Sequence, residues 1–447
     1  MAALVAPRID APAQPLGRLA FIARFVRNPL EAIPRSVYEE DLVAFGVGAR
    51  GAWITSPALI KAVLLDQRDK FRKLTQIRLL GPLLGKGILT SEGADWKWQR
   101  QAASPMFRPA ALTGFVPGFV RAAEDTLARW RALPPGAPLA IDEEMTQVTF
   151  DVISTTLLPS KGADFASAIQ RSVRALQRHA GWDILYAALK LPRWTPRPGH
   201  FAELRAVAAL RAEVGALLRE GGAPADDLMR RLVAARDPES GRAMEHEQLV
   251  DNLLTFYLAG HETTATALSW TLYLLARAPE WAEAIDEEVR RVTGGAAVGG
   301  EHVEQLVITH QVLKESMRLL PPVPIMSRQA VADTEIEGHA IKAGTSMLIP
   351  IYVIHRHVRR WERPEDFDPA RFASGAESRI ARYQYMPFGA GPRVCIGMSF
   401  AMMEAAAILA TLVRGARFSL VDEAEPELVA GVTLRARGGL RLAATLR

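Results

Sequence analysis

The stretch FGAGPRVCIG, Phe388–Gly397, contains the only cysteine among the 447 residues of the chain. Its glycines at 389, 391 and 397 allow backbone conformations that other residues resist, and they let the main chain approach another group closely. The run that follows, IGMSFAMMEAAAILATLV, has a helical pattern, so the sulfur of Cys395 is predicted to lie near a helix N-terminus. The free N–H groups and the dipole of that terminus favour a thiolate.

Two roles for Cys395 follow from the residues alone. A lone cysteine is either an inert, small hydrophobic side chain or a reactive thiol or metal ligand, and by residue type the inert role is the commoner. With one cysteine and no paired ligand spacing among the nine histidines, a zinc site is not indicated. If Cys395 binds a metal, the simplest arrangement is one thiolate whose other ligands come from a macrocycle, as in haem.

Composition narrows the class of protein. Hydrophobic residues make up 49% and charged residues 23%, which is typical of a soluble globular chain long enough to bury a cofactor. The net charge of +5 is spread along the chain without a basic block, so no nucleic-acid partner is expected. Charged residues interrupt the apolar N-terminus at Arg8, Asp10, Arg18 and Arg24, which predicts no membrane anchor and a cytoplasmic location.

Helical patterns dominate the first 240 residues, and a smaller strand-rich part follows around residues 334–353. The expected fold class is therefore mainly α with a smaller β-rich part, in one domain over residues 1–447 with an N-terminal arm at 1–45. A proline-free apolar run predicts a long central helix over residues 246–276. Two Pro/Gly-rich stretches, 78–93 and 190–200, are predicted to be loops.

The cysteine loop resembles the Phe-x-x-Gly-x-Arg-x-Cys-x-Gly signature of the cytochrome P450 superfamily, with matches at Phe388, Gly391, Arg393, Cys395 and Gly397. Three further motifs occur in the order of that family: WKWQR from Trp96, AGHET from Ala259 and KESMR from Lys314. The resemblance covers essentially the whole chain. It implies the cytochrome P450 fold, in which the long central helix lies over a haem b ligated by Cys395, the metal ligand.

The resemblance also implies roles for individual residues. In AGHET, Glu262 would be the acid and Thr263 the hydroxyl of the catalytic pair, and Ala259 and Gly260 would border the cofactor. A mid-helix threonine can bond the carbonyl four residues back, here that of Ala259, and leave a groove for O2. The other residues implied to bind the cofactor are Trp96, Arg100, Arg328, Phe388, Gly389 and Arg393, with the arginines on its carboxylates. Glu315, Arg318 and Arg371 would form a buried scaffold.

By the same resemblance, the protein is expected to be a monooxygenase that inserts one atom of O2 into a C–H bond. Electrons would come from a ferredoxin-type donor and its reductase, with no fused reductase and the protein itself a monomer. Basic residues that suit an acidic donor are Lys97, Arg100, Arg108, Arg379, Arg382 and Arg393. The expected substrate is hydrophobic and fatty acid-like, with terpenoids, steroids and aromatics left open, because the predicted lining at 79–88, 184–191, Phe256 and 323–326 is mostly apolar.

Three alternatives compete with this interpretation. A peroxygenase would be expected to replace the acid and alcohol pair, and a haem-thiolate isomerase would tend to lose the threonine, whereas Glu262 and Thr263 are both present. A non-enzymatic haem sensor would need an effector segment, for which the chain leaves no length. Arginine far outnumbers lysine and alanine is abundant, a composition resembling that of GC-rich bacteria.

Overall fold

The computed structural model describes residues 4–46, 50–134, 136–157, 195, 200–220, 228–237 and 239–447. This part of the chain is mainly helical with a smaller β part, as the sequence predicts. Its α-helices are α1 Arg18–Arg27, α2 Pro57–Lys61, α3 Leu74–Leu84, α4 Gly93–Ala103, α5 Pro109–Leu112, α6 Val116–Arg131, α7 Ile141–Leu157, α8 His200–Glu220, α9 Leu228–Ala234, α10 His246–Arg277, α11 Pro279–Thr293, α12 Gly300–Val303, α13 Val307–Leu319, α14 Ile351–Ile354 and α15 Met398–Gly415.

Twelve short strands are described. They are β1 Leu42–Phe45, β2 Gly51–Ile54, β3 Phe71–Arg72, β4 Pro138–Ala140, β5 Met326–Ala330, β6 Thr334–Ile336, β7 His339–Ile341, β8 Ser346–Ile349, β9 Ala416–Leu420, β10 Leu428–Ala430, β11 Leu434–Ala436 and β12 Arg441–Leu446. One sheet has the order β1-β2-β8-β5-β3 and another the order β4-β12-β9, while β6–β7 and β10–β11 are hairpins. Only β2 and β8 pair in parallel in the larger sheet.

The first part of the chain is mainly helical, as expected, but the sequence analysis did not predict its early strands. β1, β2 and β3 complete a sheet whose other strands, β5 and β8, come some 270 residues later, with Trp53 opposite Leu348. These strands have two to four residues. So short a segment gives no readable alternation, and its partner is far away in the sequence.

The central helix α10 crosses the fold and packs against α7, α8, α13 and α15. It begins with a capping box in which the backbone N–H of Glu245 donates to Oε1 of Gln248 at 3.2 Å. It ends at Arg277, where Ala278 leaves helical geometry and Pro279 opens the next helix. The helix predicted over 246–276 is therefore confirmed and is one residue longer.

Half of the first predicted loop is helical. Helix α3 extends to Leu84 although Pro82 lies inside it and removes one intrahelical N–H donor, and Gly85 at φ +52° ends it. The following backbone is docked on α10, because N–H of Lys86 donates to Oδ2 of Asp251 at 2.7 Å. Residues 190–200 and 184–191, the other predicted loop and lining stretch, fall almost wholly outside the described residues.

Helix α15 follows the cysteine loop and is long and apolar enough to cross a membrane, with a mean hydropathy of 1.3. It is, however, a core helix: Ala406, Ile408, Leu409 and Leu412 are fully buried, and the helix packs against α6, α11 and α13. The apolar face that makes α15 resemble a membrane-spanning helix is buried in the core. Because α15 follows the cysteine loop directly, this packing fixes where the loop meets the core.

Candidate active site

The backbone of the cysteine loop is folded tightly by its glycines. N–H of Cys395 donates to the carbonyl of Phe388 at 3.0 Å and closes the loop. Gly389 and Gly391 have φ of +73° and +71°, in the left-handed region that favours glycine. A Cβ on Gly391 would lie 2.6 Å from the carbonyl oxygen of Leu64. The loop conformation thus requires glycine at 391 for both backbone angle and space.

The sulfur of Cys395 faces a cavity, so the side chain is solvent-accessible although the loop lies inside the fold. Helix α15 begins three residues later, as predicted. Burial nevertheless raises the pKa of the Cys395 thiol above its ordinary value, and the N–H of Gly397 and the charge of Arg100 only partly oppose this. The predicted thiolate stabilisation by the helix terminus is therefore outweighed by desolvation, whereas a coordinated metal ion deprotonates a thiol outright.

The cavity has a volume of about 1430 Å³ and extends from the cysteine loop along α10 to α1 and α3. Every residue that the sequence analysis placed at the cofactor or in catalysis lies in its wall: Trp96, Arg100, Ala259, Gly260, Glu262, Thr263, Arg328, Phe388, Gly389, Arg393 and Cys395. Most of the remaining wall is apolar. It includes Leu79, Leu80, Leu83, Leu84, Ile88, Phe256, Val323, Ile325 and Met326, all from stretches predicted to line a pocket.

Two of the arginines predicted at the cofactor are largely buried, and Arg393 has several partners whereas Arg328 has one. Arg393 stacks its guanidinium on the Trp96 ring at 4.0 Å and pairs with Glu92 at 2.9 Å. Arg328, 8% exposed, donates only to the carbonyl of the adjacent Ser327 among the described residues. Burial lowers the pKa of each arginine to about 10. An anion bound in the cavity would offset the cost of burying the two guanidinium charges.

Lys73 adds a further buried cation, which sequence analysis missed. Its Nζ donates to the carbonyl of Leu89 at 2.6 Å, and the side chain lines the cavity. Burial, followed by the charges of Arg328 and Arg393, lowers its pKa to about 7. No sequence motif identifies Lys73 as a site residue. The residues that surround it come from segments up to 320 residues away in the sequence.

These cations fit the two carboxylates of a haem. Lys73, Arg100, Arg328 and Arg393 all line the cavity, and Glu92 is the carboxylate that pairs with Arg393 beside them. Arg100 also donates to the carbonyl of Val394 at 2.7 Å, immediately before Cys395, so it supports the loop. In the described part of the chain no three His, Cys, Asp or Glu side chains gather as a metal site. A haem, whose macrocycle supplies the other metal ligands, fits a single thiolate at Cys395.

The middle of α10 presents its polar groups to the same cavity. The hydroxyl of Thr263 donates to the carbonyl of Ala259 at 2.8 Å, the bond predicted from the sequence. Gly260 faces Ile153, and a Cβ there would approach its Cδ1 to 3.0 Å. The helix continues without a break through this point, and Ile153 closes the place that a side chain at 260 would take.

Glu262 is bound by residues that the sequence analysis did not identify. Its Oε1 accepts from the hydroxyl of Thr433 at 2.8 Å and from Nη2 of Arg435 at 2.9 Å. Both partners belong to the β10–β11 hairpin and line the cavity. A carboxylate and a hydroxyl on consecutive helix residues, a thiol and several cations line one cavity, an arrangement suited to proton delivery next to a bound cofactor.

Comparisons with known proteins agree on one family. The family model for Cytochrome P450 matches residues 40–436. A relative from Streptomyces melanosporofaciens, cyclooctat-9-en-7-ol 5-monooxygenase, is 31% identical over 393 residues, 86% of this chain and 84% of the relative. Cytokinin hydroxylase of Arabidopsis thaliana is 32% identical over 374 residues, 80% and 71% respectively. The crystal structure of the cytochrome P450DA heme domain matches with a TM-score of 0.84 at 25% identity, covering 99% and 98% of the two chains.

Proposed function

Because this chain belongs to the cytochrome P450 family, we propose that it hydroxylates a C–H bond of a hydrophobic, fatty acid-like molecule. The family itself makes the protein a haem monooxygenase that uses O2, a redox partner and a hydrophobic substrate. The overall reaction is R–H + O2 + 2e⁻ + 2H⁺ → R–OH + H2O. The observation that carries the proposal is that Cys395, Glu262 and Thr263 line one largely apolar cavity.

We assign the residues around Cys395 the role of binding a haem b. When bound, the group supplies oxygen activation, because a cysteine thiolate pushes electron density that favours O–O cleavage. Cys395 would be its metal ligand, and Phe388, Gly389 and Ala390, which line the same cavity, would help to hold it. Trp96 orients Arg393 by stacking, and Arg100, Arg328 and Arg393, joined by Lys73, bind its carboxylates.

We assign O2 binding and proton delivery to the central helix α10. Ala259 and Gly260 line the part of the cavity in which O2 would bind. Thr263 holds a proton at its hydroxyl, and Glu262 passes protons from water to that position. The retention of both groups favours O2 chemistry over the peroxygenase and isomerase alternatives, and the large apolar cavity favours an enzyme over a haem sensor.

Arg50 supports a fatty acid-like substrate. It lies at the cavity wall, is exposed and makes no ion pair with any described residue, so it could bind a carboxylate while an alkyl chain follows the apolar wall. The names of the relatives support a second candidate, a substrate more like cyclooctat-9-en-7-ol. The two candidates differ in charge, because only the first carries a carboxylate.

Substrate binding can be tested by the low- to high-spin change in the visible spectrum of the haem-loaded protein. Long-chain fatty acids are expected to cause it, and Arg50→Ala should weaken their binding about 10-fold, since a hydrogen bond to a charged group contributes about 1.5–3 kcal/mol. The methyl esters, which lack the charge, serve as the control and should bind both forms equally. A response to terpenoid alcohols but not to acids would replace the first candidate by the second, and a product lacking one added oxygen would contradict hydroxylation.

We propose a ferredoxin-type electron donor. Of the six basic residues named for its docking, Arg108, Arg379 and Arg382 are exposed, whereas Arg100 and Arg393 line the cavity and Lys97 pairs with Glu239 at 2.8 Å. The docking charge is therefore assigned to the three exposed arginines.

Charge reversal tests this partner. Arg379→Glu and Arg382→Glu are expected to slow ferredoxin-supported reduction several-fold and to weaken its salt dependence, because steering by opposite charges raises association rates. Reduction by dithionite should be unchanged, and Arg131→Glu, another exposed arginine, is the control. Equal stopped-flow rates in all variants, or faster turnover with peroxide than with ferredoxin, would contradict the proposal.

The remaining assignments concern the whole chain. Residues 1–447 are proposed to form one domain, a monomer in the bacterial cytoplasm. The family model over 40–436 and a solved heme domain aligned over 99% of the chain support the single domain, and the Streptomyces relative supports a bacterial source.

A further inference from the structure

The carboxylate of Glu262 is held by one oxygen only. Oε1 accepts from Thr433 at 2.8 Å and from Arg435 at 2.9 Å, while Oε2 makes no hydrogen bond with any described residue. The Glu262 side chain is 19% exposed and lines the cavity, so Oε2 is free to bind water there. Oε1 thus holds the Glu262 side chain in place, and Oε2 is left to exchange protons with water.

The attachment point is rigid. Thr433 is 3% exposed, and its carbonyl accepts from N–H of Gly431 at 3.0 Å within the hairpin turn. The next residue, Leu434, is fixed from two sides: its N–H donates to the carbonyl of Pro322 at 3.0 Å, and its carbonyl accepts from the indole of Trp270 at 2.8 Å. Because Trp270 lies on α10 as Glu262 does, the hairpin is tied to the helix at two points about two turns apart.

Arg435 completes the attachment by contacting both other members. Its Nε donates to the hydroxyl of Thr433 at 3.3 Å, while its Nη2 pairs with Glu262. The hydroxyl of Thr433 therefore accepts from Arg435 and donates to Glu262, which fixes its own orientation. A planar guanidinium can make both contacts at once, and an ammonium reproduces the charge but not this geometry.

We propose that Arg435 and Thr433 are positioning residues that hold Oε1 of Glu262, so that Oε2 delivers protons to water beside Thr263. This rests on the proposed function, because it needs a reaction that consumes protons in the cavity. In the productive reaction, O2, two electrons and two protons give R–OH and water. When proton delivery fails, the same O2, electrons and protons give H2O2 and leave R–H unchanged, so the ratio of the two products reports the positioning.

The test compares Arg435→Met, Arg435→Lys and Thr433→Val in the full-length, haem-loaded protein. The amount of R–OH formed per NADPH consumed should fall about 5-fold in Arg435→Met. This factor corresponds to the loss of a partly exposed ion pair that contributes about 1 kcal/mol. H2O2 should rise in compensation, and the solvent deuterium isotope effect on product formation should increase. Arg435→Lys should recover part of the loss, and Thr433→Val should lose less than Arg435→Met.

A spectroscopic measurement separates positioning from a general structural role. The C–O stretch of the reduced carbon monoxide complex senses polar groups in the cavity, so its band should be broader in Arg435→Met than in wild type, or split, as Glu262 takes several orientations. The matched control is Arg437→Met on the same hairpin, whose ion pair with Glu427 at 2.7 Å lies away from Glu262 and which should match wild type throughout.

The outcomes are distinguishable. If wild type and Arg437→Met form R–OH but Arg435→Met has the same coupling, isotope effect and C–O band, the positioning role is wrong while the proposed function stands. If wild type forms no R–OH from any substrate that changes its spin state, the proposed function fails first. Equal losses in Arg435→Met and Arg437→Met would mean that the hairpin acts only as structure.

Discussion

Cys395→Ala is expected to abolish monooxygenase activity and to remove the strongly red-shifted Soret band of the reduced, carbon monoxide-bound protein. Changes to residues that only support a metal ligand typically cost about 10–100-fold, so loss of the ligand itself should exceed about 100-fold. The protein should still fold, because the sulfur faces the cavity and few contacts are lost when it is removed. Visible spectroscopy and far-UV circular dichroism of the same samples separate these two effects.

Two further variants make this test specific. Cys395→His offers an imidazole and should give a carbon monoxide band typical of histidine ligation, which shows that the position and not merely the thiol faces the metal. Gly391→Ala leaves the thiol in place but should disturb the loop, since its Cβ would meet the carbonyl of Leu64 and its φ is +71°. A red-shifted band that persists in Cys395→Ala would return the cysteine to the inert role.

Local patterns in the sequence predicted the parts of the site that lie within single segments. The cysteine loop needs glycines and a following helix, both visible in ten to thirty consecutive residues. The helix over His246–Arg277 follows from an unbroken apolar run, and the Thr263–Ala259 bond follows from spacing along that helix.

Contacts between distant segments could not be predicted in this way. The partners of Glu262 lie 171 and 173 residues further along the chain, on a hairpin of three-residue strands. Lys73 looks like an ordinary surface residue until the fold buries it near Arg328 and Arg393. The stretch around Pro82 was assigned to a loop because its composition suggests one, yet docking on Asp251 of α10 orders it. Tertiary contacts override local preference at each of these places.

Breaking a buried ion pair that is linked through His355 to the segment before the cysteine loop should have the largest effect on stability. Glu315 and Arg318 on α13 are both fully buried, and the two side chains pair through two hydrogen bonds of 2.7 and 2.8 Å. Arg318 also donates to the carbonyls of His355, Pro364 and Asp366, which uses all five of its N–H groups. The ring of His355 in turn accepts the backbone N–H of Met386, two residues before the cysteine loop begins.

Arg318→Ala is therefore expected to lower the free energy of unfolding by about 3–5 kcal/mol, because it leaves the carboxylate of Glu315 buried without its main partner. Arg371 compensates the carboxylate only in part, because its Nε forms an ion pair with Oε1 of Glu315 at 3.4 Å but no hydrogen bond. Urea unfolding followed by circular dichroism measures the loss. Lys314→Ala is the matched control: it lies on the same helix, and its pair with Glu377 at 2.7 Å is at the surface, so its loss should stay within about 1 kcal/mol.

A double variant distinguishes the ion pair from simple loss of packing. In Glu315→Leu/Arg318→Leu neither charge of this pair remains buried, so the destabilisation should be clearly smaller than the sum of the two single changes, although Arg371, 12% exposed, loses its carboxylate partner. The carbonyls of His355, Pro364 and Asp366 still lose their donor, which keeps the double variant below wild type and weakens the support of the cysteine loop. Additive losses would mean that Glu315 and Arg318 contribute independently, and that the pairing itself does little to hold the loop.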